Sequence, residues 1–246
     1  MGHGSPMNAI EDNEFSRNWK ELAQAIPKPE AILCVSAHWV TEGTYVTAME
    51  NPKTIHDFYG FPRKLYEVQY KAKGSPGLAN KITDIIKSVE VLPDYDWGLD
   101  HGTWSLLVNM YPKADIPVLQ LSLDYNLPLD KHFQIGRELN QLRKKGVLII
   151  GSGNLVHNLL VIDLNASPYT WAVDFDDFVK DSLEKEDYNA LISYTKHKSS
   201  ALAHPTNEHY LPLLYVIGAV ENEKPQFLNE GIFAGSISMR CAVFGM

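Results

Sequence analysis

The sequence predicts an α/β fold, a single domain over residues 1–246 with a central, mostly parallel sheet flanked by helices and mixed strands at its edge. Three observations predict it. Short apolar runs with β-branched residues recur at residues 31–35, 116–123 and 146–150, and such runs read as strands buried on both faces. Between them lie stretches with apolar residues every three or four positions, the spacing of a helix face. No repeat, low-complexity tract or linker interrupts the 246 residues, a length that buries a substantial core.

Composition narrows the classes. Apolar residues make up 45% and charged residues 21%, as in ordinary globular proteins. The net charge of -8 carries no basic cluster, which argues against a nucleic-acid partner. No run of 18 apolar residues is present, so no membrane span is expected. A charged-then-apolar leader is also lacking, so no signal peptide is expected. The two cysteines, Cys34 and Cys241, read as reduced thiols of a cytoplasmic protein.

In chain order, residues 1–9 (MGHGSPMNA) have the small, glycine-bearing character of a loop that follows a strand, and they carry His3. Residues 14–26 are helical, with Phe15, Trp19, Leu22 and Ile26 on one face and Pro27 and Pro29 as the stop. Residues 31–39 (AILCVSAHW) form a strand that ends at His38. Ligands in open α/β sheets bind just beyond the carboxyl ends of strands, so His38 is placed for chemistry as well as for an ordinary loop hydrogen bond. Residues 44–49 read as a second strand, and residues 51–62 as an aromatic loop with His56, Asp57, Phe58, Tyr59 and Phe61. A helix over 76–89 follows Ser75, and a short strand covers 89–92.

Asp100 and His101 lie in a glycine-flanked loop, with Thr103 the expected cap of a helix over 104–110. Residues 116–123 are a strand, and 129–145 an amphipathic helix closed by Gly146. Residues 146–154 (GVLIIGSGN) are a buried strand running into a Gly-Ser-Gly turn, with His157 shortly after it. Helices are expected over 170–183, 188–198 and 210–219. Asn207 is the candidate cap of the last, which puts Glu208 and His209 in its first turn. The alternation of Ile237, Met239, Cys241 and Val243 against Ser238 and Arg240 predicts a half-exposed edge strand over 235–244.

Several catalytic motifs are absent. There is no G-x-S-x-G, no P-loop, no H-E-x-x-H and no Cys-x-x-Cys, and Val156 stands where a dinucleotide fingerprint needs its third glycine. What stands out is a dispersed set of histidines: His3, His38, His101, His157 and His209. Catalytic metal sites gather such side chains from separate loops and leave coordination positions open.

The stretches GHGSPMN (2–8), SAHW (36–39), IHDFYGFP (55–62), LDHGTW (99–104), GSGNLVHNL (151–159) and PTNEHYLPLLYVIGA (205–219) resemble the class III extradiol dioxygenases, and more narrowly the 4,5-DOPA extradiol group. The resemblance spans nearly the whole chain in order. It implies an α/β fold, a nonhaem divalent metal and opening of a catechol ring by O2 to a muconic semialdehyde. It implies His3, His38 and His209 as metal ligands, with Glu208 the alternative to His209. His157 would be the acid/base, or a fourth ligand when zinc is bound, and His101 a second active-site histidine. In the family an apolar strand leads into the GHGSP motif, whereas here the motif occupies residues 2–6. Fe(II) is the expected active ion. Zn(II), higher in the Irving–Williams order, is the expected occupant of purified protein. The expected partners are a catechol and O2, and a homodimer follows from the family alone. Two other readings use the same scaffold: a zinc-dependent hydrolase and a non-catalytic binding protein.

Overall fold

A computed structural model describes residues 1–246. After a 3-10 turn at Pro6–Ala9 the elements run α1 (Glu14–Ala25), β1 (Ala31–Thr41), β2 (Thr44–Thr47), α2 (Arg63–Tyr66), α3 (Pro76–Ile85), β3 (Val91–Asp94), α4 (His101–Met110), β4 (Val118–Asp124), α5 (Leu129–Arg143) and β5 (Val147–Ser152). They continue with α6 (Thr170–Glu184), α7 (Tyr188–Ile192), α8 (Ser200–Ala203), α9 (Leu211–Gly218), β6 (Gln226–Leu228), β7 (Ile232–Phe233), β8 (Ile237–Ser238) and β9 (Cys241–Val243). No helix is long and apolar enough to cross a membrane.

The central sheet has the order β3-β2-β4-β1-β5. β1 runs parallel to both β4 and β5, β3 runs parallel to β2, and β2 meets β4 antiparallel. The β3–β2 pair at one edge therefore points against the other three strands. The fold is the α/β domain with a mostly parallel sheet that the sequence predicts.

β1 is buried on both faces, as its apolar run requires. Leu33 and Val35 join the core beneath α5, α6 and α9, while Ile32 and Cys34 join the core beneath α1 and α4. At about 25 cal/mol per Å² of apolar surface removed from water, each such side chain contributes roughly 1.5–3 kcal/mol. Both cysteines are free and buried, and burial raises the Cys34 thiol to about 12.

The N-terminal residues are part of this layer. The Met1 amino group donates to the Gly151 carbonyl (2.8 Å), the Gly153 N–H donates to Met1 O (3.1 Å), and the His3 N–H donates to Gly153 O (3.1 Å). Residues 1–3 thus continue β5 as a parallel neighbour rather than hanging as a loop, with Gly2 opposite Gly153. Asn8 secures the turn that follows by donating to His3 O (3.1 Å).

Other local expectations change: the helix expected over 76–89 ends at Ile85, the strand expected over 89–92 lies at Val91–Asp94, and four differences bear on the site or its surroundings. Asp100, not Thr103, caps α4, its Oδ1 accepting from the Thr103 N–H (3.1 Å), so the helix starts at His101. The helix expected over 188–198 divides into α7 and a 3-10 turn at Tyr194–Lys196, because Ser193 leaves helical geometry (ψ 25°). α9 starts at Leu211 with Pro212 in its first turn, and Glu208 and His209 lie in the turn before it. The strand expected over 235–244 is two short strands, β8 and β9, in separate two-stranded ribbons and largely buried. Its polar positions face protein carboxylates instead of water. Ser238 Oγ donates to Asp176 (2.5 Å), and Arg240 pairs with Asp176 (2.6 Å) and with Glu230. Polar alternation looks the same whether the polar face meets solvent or a buried ion pair.

Candidate active site

The carboxyl ends of β1 and β5 and the amino end of α4 meet at one place, and five histidines converge there. His38 arrives by a break in strand register. Val35 pairs with Leu121 and Val40 with Leu123, so Ser36, Ala37, His38 and Trp39 stand against Ser122 alone. An extra stretch of this kind bends a strand and re-aims its side chains. His3 is delivered by the Met1–His3 ladder beside β5. His101 is the first residue of α4, and the glycine after it is required by crowding: a Cβ on Gly102 would lie 2.5 Å from Ser36 Oγ and 2.9 Å from His38 Cδ2. His209 is fixed by its carbonyl, which accepts from the Asn154 N–H (3.0 Å) and lies too close to Gly153 for any side chain there. His157 is held by its backbone N–H, which donates to Ala203 O (2.9 Å).

The ring centroids of His3, His38 and His209 form a nearly equilateral triangle with sides of 5.0, 5.2 and 5.4 Å. His101 lies 3.9 Å from His38 on one flank, and His157 stacks flat on His209 at 3.4 Å on the other. The possible donor atoms of His3, His38 and His101 lie within 4.8 Å of one another, as do those of His157, Glu208 and His209.

Hydrogen bonds behind the rings fix where their protons sit. The Ser152 hydroxyl donates to Gly102 O (2.5 Å), so its oxygen accepts from His3 Nδ1 (2.9 Å). His3 therefore carries its proton on Nδ1 and presents the Nε2 lone pair. His209 Nδ1 donates to Glu208 Oε1 (3.2 Å), which also accepts from the Thr206 hydroxyl (2.8 Å). Asp57 Oδ2 accepts from His101 Nδ1 (2.8 Å) and lies 3.4 Å from His38 Nδ1. His3 Nε2 and His38 Nε2 face each other at 3.2 Å. That is about the separation of two nitrogens each bound ~2.1 Å from a shared ion. Imidazoles anchored through Nδ1 with Nε2 facing inward are the usual preparation for divalent metal binding, so the residues present fit such a group.

The electrostatics agree. Burial, and next the charge of neighbouring histidines, drives His3 and His209 well below the ordinary imidazole value. Burial and then His101 lower His38 to about 3, with Asp57 opposing. Burial lowers His157 to about 4, with Glu208 opposing. All four are neutral at pH 7, the state a metal ligand or proton acceptor needs. Burial alone would raise the Asp57 carboxyl, but the hydrogen bond from His101 and the charges of His101 and His38 outweigh it and hold it below the usual carboxylate value. Burial, and then the nearby Asp57 charge, raises Asp100.

All five histidines singled out by the sequence are therefore brought together. The residues that hold them were not singled out: Asp57 and Ser152 above all, with Ser36 and Gln120 behind Asp100. One signal pointed to some of them. Three acid–histidine neighbours occur in turn-rich stretches, at 56–57, 100–101 and 208–209, and each places a carboxylate in the site. Ser152 carries no signal beyond its place in the Gly-Ser-Gly turn.

An α/β sheet with neutral, back-anchored imidazoles at its strand ends defines a metal-site protein of the dispersed-ligand kind. Residues 2–245 match the family described as the catalytic LigB subunit of aromatic ring-opening dioxygenase, and the chain belongs to that family. It is 47% identical over 252 residues to the 4,5-DOPA dioxygenase extradiol of Escherichia coli K12, an alignment covering 100% of this chain and 93% of that protein. It is 40% identical to the 4,5-DOPA dioxygenase extradiol of Beta vulgaris, over 97% and 92% of the two chains. The crystal structure of an uncharacterized protein from Escherichia coli K12 superposes with a TM-score of 0.85 at 44% identity, covering 97% of this chain and 95% of that one.

Proposed function

We propose that this chain is an extradiol dioxygenase that opens a catechol such as DOPA beside its diol, using Fe(II) held by His3, His38 and His209. The observation that carries the ligand set is the triangle of imidazoles. Two imidazoles bound to one ion through Nε2 have centroids about 4.6–5.3 Å apart for angles between octahedral and tetrahedral at a ~2.1 Å bond. The 5.0 and 5.2 Å sides of the His3–His38–His209 triangle fall in that range, and the 5.4 Å side lies just above its tetrahedral end. The 3.9 Å His38–His101 and 3.4 Å His157–His209 spacings fall short of it. His101 and His157 thus flank the ligands and are left for the substrate. A zinc-bound form with His157 as fourth ligand requires its ring to leave the face of His209.

Glu208 acts as a support in this reading: its Oε1 accepts from His209 Nδ1 and the Thr206 hydroxyl and so orients the His209 ring. Bound here, iron would lower the pKa of the catechol hydroxyls and pass electron density from the ring to O2. His157, neutral at pH 7, accepts a hydroxyl proton and returns it to the leaving oxygen as the ring opens. His101 faces the same space from the opposite flank. Phe58 packs edge-on against His101 (5.5 Å) and gives that side an aromatic wall. Both oxygen atoms of O2 enter the product, a muconic semialdehyde. Zinc, which would bind the same nitrogens, is the expected resting occupant.

The test is anaerobic reconstitution with Fe(II), followed by O2 uptake and absorbance scans with L-DOPA, caffeate and catechol. Stoichiometric O2 consumption with a new yellow chromophore is the expected result. An iron-loaded sample that consumes no O2 with any catechol rejects the assignment, and hydrolysis supported by zinc would replace it.

A further inference from the structure

Asp57 sets one carboxylate against two of the clustered histidines, His101 and His38. Oδ1 accepts from the His101 backbone N–H (2.8 Å), and Oδ2 accepts from His101 Nδ1 (2.8 Å) and lies 3.4 Å from His38 Nδ1. A carboxylate only accepts here, so the proton of a neutral His101 must sit on Nδ1 and its lone pair on Nε2.

The segment that carries Asp57 is fastened to the segment that carries His101. The Ile55 N–H donates to Leu99 O (2.7 Å), the Leu99 N–H to Lys53 O (2.8 Å), and Trp104 Nε1 to Ile55 O (2.7 Å). On the other side, Phe58 packs among Phe61, Tyr66 and Trp104. Asp57 is thereby held between two anchored neighbours. A group held this way imposes orientation on its partners instead of following them.

We propose that Asp57 is a positioning residue of the ring-opening site: through one carboxylate it fixes the Nδ1–H tautomer of His101 and biases His38 the same way, leaving the His38 Nε2 lone pair for the metal and the His101 Nε2 lone pair for the substrate space. This rests on the dioxygenase reading for its catalytic consequence, but not for its geometry. The partnership makes the loop over residues 51–62 part of the catalytic apparatus. Phe58 and Phe61 of this loop serve to hold a carboxylate still.

The experiment combines nitrogen-15 NMR of histidine-labelled, metal-free protein at pH 7.5 with kinetics of the Fe(II) enzyme, comparing wild type with Asp57→Asn and Asp57→Glu. His101 signals are identified by their absence from His101→Gln. In wild type, His101 shows a protonated Nδ1 and a bare Nε2. Asp57→Asn keeps the acceptor for the His101 backbone N–H but loses the one for Nδ1, and the tautomer balance shifts toward Nε2–H. In the iron enzyme kcat falls about 10–100-fold, while KM for the catechol stays within about threefold and iron content per chain is retained. Asp57→Glu, which restores a carboxylate, regains part of kcat.

A wild-type His101 protonated on Nε2, or an unchanged tautomer in Asp57→Asn, overturns the proposal. So does a variant whose kcat matches wild type. Should Asp57→Asn not fold, the wild-type spectrum alone decides the tautomer. Failure of the dioxygenase reading is separately visible, as wild-type protein with the expected tautomer that cleaves no catechol.

Discussion

Replacing Ser152 with alanine tests the logic of the site most directly. Ser152 is fully buried, and its oxygen accepts from His3 Nδ1 (2.9 Å) while its proton goes to Gly102 O (2.5 Å). Without that oxygen His3 has two choices. It can keep its proton on Nδ1, where no acceptor remains, at about 1–3 kcal/mol for an unsatisfied buried donor. Alternatively it can move the proton to Nε2 and donate to His38 Nε2, 3.2 Å away. The metal-free protein can take the second choice and so escapes most of the penalty. Metal binding needs the Nε2 lone pair, so the penalty falls on the metal-bound state. At about 1.4 kcal/mol per factor of ten, it corresponds to metal affinity lower by about 5–150-fold. The assay is chelator competition for Co(II) and Zn(II), with thermal unfolding of the metal-free protein as the control. The expected result is that loss in affinity with a metal-free melting temperature within a few degrees of wild type. Affinity within threefold of wild type would refute the reasoning. A metal-free protein destabilised by the full amount would refute the tautomer escape.

Other substitutions probe neighbouring parts. His157→Phe should retain one Co(II) per chain yet lower turnover by about 10²–10⁴, and full activity would reject the acid/base role. Asp100→Ala removes the cap of α4 together with the acceptors for Ser36 Oγ (2.7 Å) and Gln120 Nε2 (2.6 Å), so urea unfolding should show a loss of about 2–4 kcal/mol. His132, buried beside Tyr215 and lowered by burial to about 4, makes the fold acid-sensitive through a histidine outside the cluster. Below pH 6.5 the unfolded chain takes up a proton that the native state refuses until about pH 4, so stability falls with pH across that window by about 3 kcal/mol at ~1.4 kcal/mol per unit. His132→Gln should remove that share of the difference between urea unfolding at pH 7.5 and pH 4.5, and an unchanged difference would reject it.

The sequence made the strands and their histidines legible because both are local properties. An apolar, β-branched run at 31–35 has few fates other than a buried strand, and a histidine at its end lies where such sheets bind ligands. The supports were illegible because they are partnerships across the chain. Asp57 meets a residue 44 positions away, and Ser152 meets His3 across 149 positions. Periodicity carries no information about such pairs. It also misjudged Arg240, since a buried carboxylate partner gives the same alternation as water. The start of α4 was misplaced for a related reason. Asp100 and Thr103 are both good capping residues, and Asp100 prevails because its carboxylate also holds Ser36 and Gln120.

Where the charges stand explains how five imidazoles share one buried site. Burial, and then repulsion between rings at centroid distances of 3.4–5.7 Å, keeps His3, His38 and His209 neutral at pH 7, and burial keeps His157 neutral. Its two nearest carboxylates, Asp57 and Glu208, lie on the Nδ1 side of their histidines. There they cannot replace imidazole at the facing Nε2 atoms, yet their combined charge matches that of a divalent ion. A cluster of neutral donors backed by two negative charges favours such an ion and leaves space for an acidic diol. A carboxylate among the facing donors would instead neutralise the ion in advance and weaken its pull on the catechol hydroxyls. Moving Glu208 forward to bind, as the adjacent Glu–His pair in the sequence allowed, would also remove the acceptor that orients His209. That geometry supports the proposed division of labour, with His209 as ligand and Glu208 behind it.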